Sequence, residues 1–167
     1  YFFKLTKYKD AIIKYIKEHP DFIVPEFRAN EVINQLEDIQ DISVSRAKSN
    51  VEWGIDVLGD DEQSIYVWID ALSNYITALG YDPENPSEKF KRYWPADVQV
   101  IGKDILKFHA IYWPAFLMAL DLPLPKTIFA HGWITIDQTK MSKSIGNVIA
   151  PKDVLESFNL KQPDAFR

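Results

Sequence analysis

Asp97-Val98-Gln99-Val100-Ile101-Gly102-Lys103-Asp104 passes from a short apolar run, through a glycine, to a carboxylate. Residues 97–101 predict a strand and Gly102 a turn. Residues 104–120 predict a long helix, Leu122-Pro123-Leu124-Pro125 a stiff connector, and residues 127–130 the next strand. Strand, helix and strand at this spacing make a crossover, which implies a parallel sheet. Ligands of such sheets sit beyond the carboxyl ends of the strands. Three polar positions are expected at such ends and should converge: Asp70, Gly102 with Asp104, and His131 with Gly132.

Upstream, residues 3–18 carry Leu5, Tyr8, Ile12, Ile13, Tyr15 and Ile16 at helical spacings, and His19-Pro20 ends that helix. Asn30 is expected to cap a second short helix running through Glu37. Ile42-Ser43-Val44-Ser45 alternates like a strand, and residues 51–55 predict another. Asp60-Asp61-Glu62-Gln63 reads as an acidic hairpin tip, and residues 64–68 as a strand rich in β-formers. A helix is expected over residues 70–79, closed by Gly80, and a short one over residues 87–93.

Composition narrows the classes of function. The chain has 167 residues, 47% of them hydrophobic and 26% charged, which allows one core of domain size and speaks against disorder. A net charge of −5 without a long basic run argues against a large stand-alone nucleic-acid footprint. The absence of cysteine excludes disulfides and thiolate zinc sites. No apolar run approaches the ~20 residues of a membrane span. The chain opens at Tyr1-Phe2-Phe3-Lys4, in mid-pattern and without an initiator methionine, and is read as a piece of a longer protein.

Four constellations carry chemistry. Lys140-Met141-Ser142-Lys143-Ser144, followed by Ile145-Gly146-Asn147, sets two ammonium groups among hydroxyls, a compact device for holding a polyphosphate. The bland alternative is a solvated basic turn. Gly102 leaves room for a ligand, and Asp104 can accept hydrogen bonds from ribose hydroxyls, cap the helix, or do both with different oxygens. Ile105, His109 and Trp113 fall on one helical stripe, and Trp68, Ala71, Leu72 and Tyr75 on another. Either stripe alone is ordinary core. Together they suit an apolar side chain, and a polarizable thioether in particular. His131-Gly132-Trp133-Ile134 can set an imidazole and exposed amides around a nucleotide, or make a plain turn.

Lys140 to Ser144 resembles, letter for letter, the KMSKS signature of class I aminoacyl-tRNA synthetases. The Tyr66-Val67-Trp68-Ile69-Asp70-Ala71 and Gly102-Lys103-Asp104-Ile105-Leu106-Lys107-Phe108-His109 strings are similar to those of the methionyl members. The resemblance runs over nearly the whole chain. It implies the α/β fold class, as the second half of a Rossmann-type parallel sheet with flanking helices. Residues 1–41 would be the return from the connective insertion, and residues 42–150 the second Rossmann half with the KMSKS loop. Residues 151–167 would start the segment leading to the anticodon-binding domain.

The implied reaction joins methionine to ATP as methionyl-adenylate and passes the methionyl group to tRNA(Met). Trp68, Ala71, Leu72, Tyr75, Ile105, His109 and Trp113 would then line the methionine pocket. Gly102 and Asp104 would hold the ribose, and His131, Gly132 and Ile134 would lie by the adenine. Lys140, Ser142, Lys143 and Ser144 would steady the phosphates, with Lys140, Lys143 and Arg46 as catalytic cations. Mg²⁺ would accompany ATP, with no zinc site in this segment. The family's His-Ile-Gly-His signature is missing, so the isolated piece is expected to be inactive. Other class I synthetases, nucleotidyl-transferring relatives and an incompetent binding fragment are the alternatives. Cytoplasm and mitochondrial matrix are both open, and no membrane partner is expected.

Overall fold

The computed structural model describes residues 1–51 and 53–158. Contacts divide the chain into two compact units, Tyr1–His131 and Gly132–Arg167. Expectations that fall on residue 52 and on residues 159–167 lie outside the described residues.

The first unit begins with β1 (Phe2–Phe3), a 3-10 turn at Leu5–Tyr8, α1 (Lys9–Glu18), β2 (Ile23–Val24) and α2 (Glu26–Glu37). Short strands follow: β3 (Ile42–Ser43), β4 (Ser45–Ala47), β5 (Asp56–Val57) and β6 (Asp60–Ile65). Then come α3 (Val67–Thr77), α4 (Glu88–Tyr93) and β7 (Val98–Gly102). A helical run ending in α5 (Trp113–Ala119) connects β7 to β8 (Thr127–His131). The order β2-β8-β7 forms the parallel sheet, in register from Val98↔Thr127 to Gly102↔His131. The predicted crossover is therefore present. Antiparallel pairing orders β4-β6-β5 in a second sheet and joins β1 to β3.

Burial explains the arrangement. Ile101, Ile128 and Ala130 point to one face of the parallel sheet, where Leu106, Ala110, Ile111 and Leu117 of the crossover cover them in one core. Leu5, Ile12, Ile16, Val32 and Leu36 extend that core through the N-terminal helices. The other face of the sheet exposes Val98, Val100 and Phe129.

Several local expectations are corrected. Asn30 lies inside α2, whose N-cap is Pro25. Residues 60–63 belong to β6 and not to a turn, because their carboxylates face solvent on a strand. The reversal falls at Leu58-Gly59, where Gly59 has φ +78°. No strand covers Val51 or Trp53 to Ile55; pairing starts only at Asp56. Trp68 sits in α3, which starts at Val67, so Asp70 lies in a first helical turn and not at a strand end.

The long helix is also not uniform. It opens with a 3-10 turn at Lys103–Ile105 and widens to π geometry at Phe108–Tyr112, where the Trp113 N–H bonds the Phe108 carbonyl. Pro114 follows at once and can donate no backbone hydrogen to this turn. The helix expected over residues 104–120 is thus interrupted by a widened turn that contains His109.

In the second unit, β9 (Thr135–Ile136) and β10 (Thr139–Lys140) form a hairpin, and α6 (Pro151–Ser157) follows. Asp137 and Gln138 both take positive φ, as a tight two-residue hairpin turn demands. Asp153 accepts the Ala150 N–H at 3.0 Å and so holds the first turn of α6.

Candidate functional site

α3 and the widened helical turn bring the two predicted stripes together. His109 is 3% exposed and Trp113 1% exposed. Tyr75 contacts both, with ring centroids 5.7 Å from His109 and 6.0 Å from Trp113. Trp68 meets the edge of His109 at 6.1 Å and stacks on Phe108 at 3.7 Å. Leu72 is fully buried under this cluster's helix, Ile105 is half-buried, and Ala71 is exposed.

Hydrogen bonds settle the state of the imidazole. The Ile105 carbonyl can only accept, so His109 Nδ1 carries the hydrogen in their 3.0 Å bond. Burial lowers the His109 pKa, against a smaller opposing effect of that bond. The ring is therefore neutral, and Nε2 accepts from the Tyr75 hydroxyl at 3.0 Å. Burial raises the Tyr75 pKa, which keeps that hydroxyl a donor. The cluster is apolar, aromatic and uncharged, with its polar atoms already oriented. Trp113 adds an indole N–H that is buried without a hydrogen-bond partner. Its ring also borders an apolar cavity of about 470 Å³ with Phe2, Val44, Ile69 and Phe116.

At the carboxyl edge of the parallel sheet, Gly102 and His131 are register partners. Gly102 has φ −73°, so no left-handed turn calls for glycine there. A Cβ there would stand 3.9 Å from the His131 imidazole, an ordinary van der Waals contact, so the glycine's neighbour is His131. Asp104 is exposed in the first turn beyond β7.

Arg46 lies on a different wall. Its guanidinium donates to the carbonyls of Ser43 and Ser45 at 3.1 and 2.8 Å and stacks over Tyr66 at 4.2 Å. Burial raises the Tyr66 pKa, while the Arg46 charge lowers it and Tyr112 raises it further. Arg46, Tyr66, Trp53 and Asp70 line a cleft of about 630 Å³. The expected convergence is thus seen for Gly102 with His131, while Asp70 joins Arg46.

The lysine loop belongs to the second unit. Lys140 ends β10, and its ammonium stands over the Trp133 ring at 4.5 Å. The Met141 N–H bonds the Ile134 carbonyl at 2.9 Å. Ser142 and Ser144 share a hydrogen bond of 2.9 Å, and the Lys143 side chain is exposed. Gly132 and Ile134 are likewise exposed.

Residues 1–167 match the family described as tRNA synthetases class I (M). This chain belongs to that family. The methionine–tRNA ligases of Clostridium acetobutylicum and Caldanaerobacter subterraneus are each 56% identical to it. Those matches cover 95% and 100% of this chain but 24% and 25% of the relatives. Among solved structures, Mycobacterium tuberculosis methionyl-tRNA synthetase bound by methionyl-adenylate aligns with a TM-score of 0.83 at 47% identity. That alignment covers 94% of this chain and 30% of the other. The apo form of the same enzyme gives 0.77 at 43% identity, covering 93% and 29%. The resemblance read from the motifs, and the α/β class it implied, are both borne out. This chain of the family spans about a quarter of the length of the curated relatives it matches.

Sequence reasoning gave no role to Phe108, Tyr66 or Asn147. The first two stood inside the matched strings, where an aromatic beside Trp68 and one facing Arg46 were the available signals. Among the described residues, no helix is long and apolar enough to cross a membrane. No group of three or more His, Cys, Asp or Glu among them is placed to hold a metal ion.

Proposed function

We propose that this chain is part of an ATP-dependent ligase that activates methionine as methionyl-adenylate and transfers it to tRNA(Met). One observation carries the reading: a neutral, buried His109 is held between Tyr75 and Trp68, with Trp113 against Tyr75, in a chain whose relatives are named methionine–tRNA ligases. An uncharged aromatic box takes a thioether without burying an unpaired charge. Within it Ala71, Leu72 and Ile105 complete the methionine contacts. Gly102 and Asp104 hold the ribose, and His131, Gly132 and Ile134 flank the adenine.

In this reading a methionine carboxylate oxygen attacks the α-phosphorus of ATP and pyrophosphate departs, with no covalent enzyme intermediate. The chain contributes positioning and charge. Lys140 and Lys143, with Ser142 and Ser144, steady the phosphates, and Arg46 supplies a fixed cation near the reacting groups. Mg²⁺ binds chiefly through substrate phosphates and its own waters, so it is assigned to the ATP phosphates and no step is routed through a protein-held ion. Residues 1–41 are assigned as the return from the connective insertion, 42–150 as the second Rossmann half, and 151–167 as the lead into the anticodon-binding domain. The enzyme is assigned to cytoplasm or mitochondrial matrix.

The bare sheet face at Val98, Val100 and Phe129 supports a role inside a longer protein, because parallel sheets are normally covered on both faces. The test is methionine-dependent ATP–pyrophosphate exchange by the intact enzyme, run beside the other amino acids. Exchange driven best by a different amino acid rejects the methionyl reading. The isolated 167 residues should give essentially none, and appreciable turnover from them would show that no further segment is required.

A further inference from the structure

We propose that Asn147 is a positioning residue for the lysine loop, its carboxamide tying the loop's two ends so that the Lys140 and Lys143 ammonium groups stand in a set place. The proposal rests on the reading above, in which those ammoniums meet ATP phosphates.

Two bonds from one planar group carry it. Asn147 Oδ1 accepts the Ser142 N–H at 2.8 Å, and Asn147 Nδ2 donates to the Lys140 carbonyl at 3.2 Å. The carboxamide carries an acceptor and an N–H donor on one carbon in one plane, which a carboxylate or an aliphatic side chain of the same size does not, so the position is read by chemistry and not by size alone. The clip closes over a turn built locally. Ile145 N–H bonds Ser142 Oγ at 3.3 Å, and Gly146 N–H lies 3.2 Å from the carbonyls of both Ser142 and Lys143. Gly146 permits this with φ +77°.

Asn147 is itself half-buried while both lysines are exposed, so the anchor and the working groups are separate. A lysine is a point charge on a flexible stem. What the protein can fix in advance is the backbone from which that stem leaves, and the Asn147 bonds hold the backbone on both sides of Met141. Charge held ready in this way requires no rearrangement when the anhydride breaks.

The intact enzyme carrying Asn147→Ala should lose about 10²-fold in kcat for pyrophosphate exchange, the scale of a misplaced catalytic group. Its KM for methionine and its melting temperature should stay at the wild-type values. Asn147→Gln keeps the amide one methylene further out and should recover part of the lost rate. Asn147→Asp keeps the acceptor for Ser142 but opposes a second acceptor to the Lys140 carbonyl, and should stay below Asn147→Gln. A kcat within about twofold of wild type for Asn147→Ala overturns the inference. So does a joint loss of kcat, methionine affinity and melting temperature, which marks a packing residue. A wild-type enzyme without methionine-dependent exchange overturns instead the functional reading beneath it.

Discussion

The Tyr75 hydroxyl donates to His109 Nε2 while the Ile105 carbonyl takes the hydrogen on Nδ1, so both ring nitrogens are occupied and the tautomer is fixed. Two helices are locked to one another by that contact: Tyr75 comes from α3, and His109 from the widened turn before α5. An imidazole so held is an orienting group and not a charge.

Removing the hydroxyl tests this. Tyr75→Phe keeps the ring contacts and leaves buried Nε2 without a donor, at a net loss of about 1 kcal/mol. The KM for methionine should rise while kcat changes less. A steady-state titration of methionine in the exchange assay checks the split.

Acid should find the same residue. Burial places the folded pKa of His109 below its ordinary 6.5, so between those two values the unfolded chain binds the extra proton and the folded chain does not. Stability from this group is thus fully present above about pH 6.5 and is lost as pH falls from there toward the folded pKa. His109→Gln cannot titrate and should flatten that part of the curve. Urea unfolding of both proteins across this range decides it. An unchanged pH dependence would mean that His109 has the same pKa in the folded and unfolded chain, and that burial does not depress it.

Motif residues were legible because their chemistry is local, while element boundaries were not. Ser64 to Trp68 is rich in β-formers and reads as strand, yet burial of Leu72 and Ile76 on one side favours starting α3 at Val67. Asp60 to Gln63 looks like a turn by composition, but a strand with one wet face accepts carboxylates as readily. The stripe of His109 and Trp113 was visible as spacing. The π turn between them was not, since nothing in a four-residue repeat announces a five-residue hydrogen bond. The parallel sheet followed from the crossover alone, but the register that pairs Gly102, read as a turn, with His131 did not, and the Arg46–Tyr66 stack likewise required two chain segments whose register sequence did not reveal.

Trp113 shows how burial changes the design of an experiment. Trp113→Ala empties a nearly unexposed site and should cost about 3–5 kcal/mol, so a raised KM for methionine would be mixed with unfolding. Trp113→Phe keeps most of the ring and abandons an indole N–H that has no partner. It should cost about 1–2 kcal/mol and still raise the KM for methionine. An unchanged KM in the folded phenylalanine variant would remove Trp113 from the methionine contacts.

Gly80 is a backbone requirement that the helix-stop reading anticipated. Its φ is +79°, and a Cβ there would stand 2.8 Å from Ser87 Oγ and 3.0 Å from Ser87 Cβ. That hydroxyl cannot simply swing away, since it donates to the Leu79 carbonyl at 2.6 Å and accepts the Phe90 N–H that begins α4. Gly80→Ala should therefore cost about 1–2 kcal/mol from conformation alone, and more from the displaced cap. The urea midpoint should fall accordingly, with methionine KM unaltered.

Between the two loop lysines, the structure predicts unequal losses. Lys140 already has a place for its ammonium over the Trp133 ring, and its carbonyl is tied to Asn147. Lys143 leaves from the exposed turn beyond Ser142, where, on the proposed reading, its stem would follow the charge that develops on departing pyrophosphate. Lys143→Ala should lower the rate of adenylate formation by about 10²–10³-fold, the scale of one lost electrostatic donor, with methionine affinity intact. Lys140→Ala should cost less in rate and more in ATP affinity. Single-turnover adenylation at saturating methionine separates the two. Equal falls in rate and methionine affinity for Lys143→Ala would point to a folding role, because a group that acts only on the transition state leaves ground-state binding of the amino acid untouched.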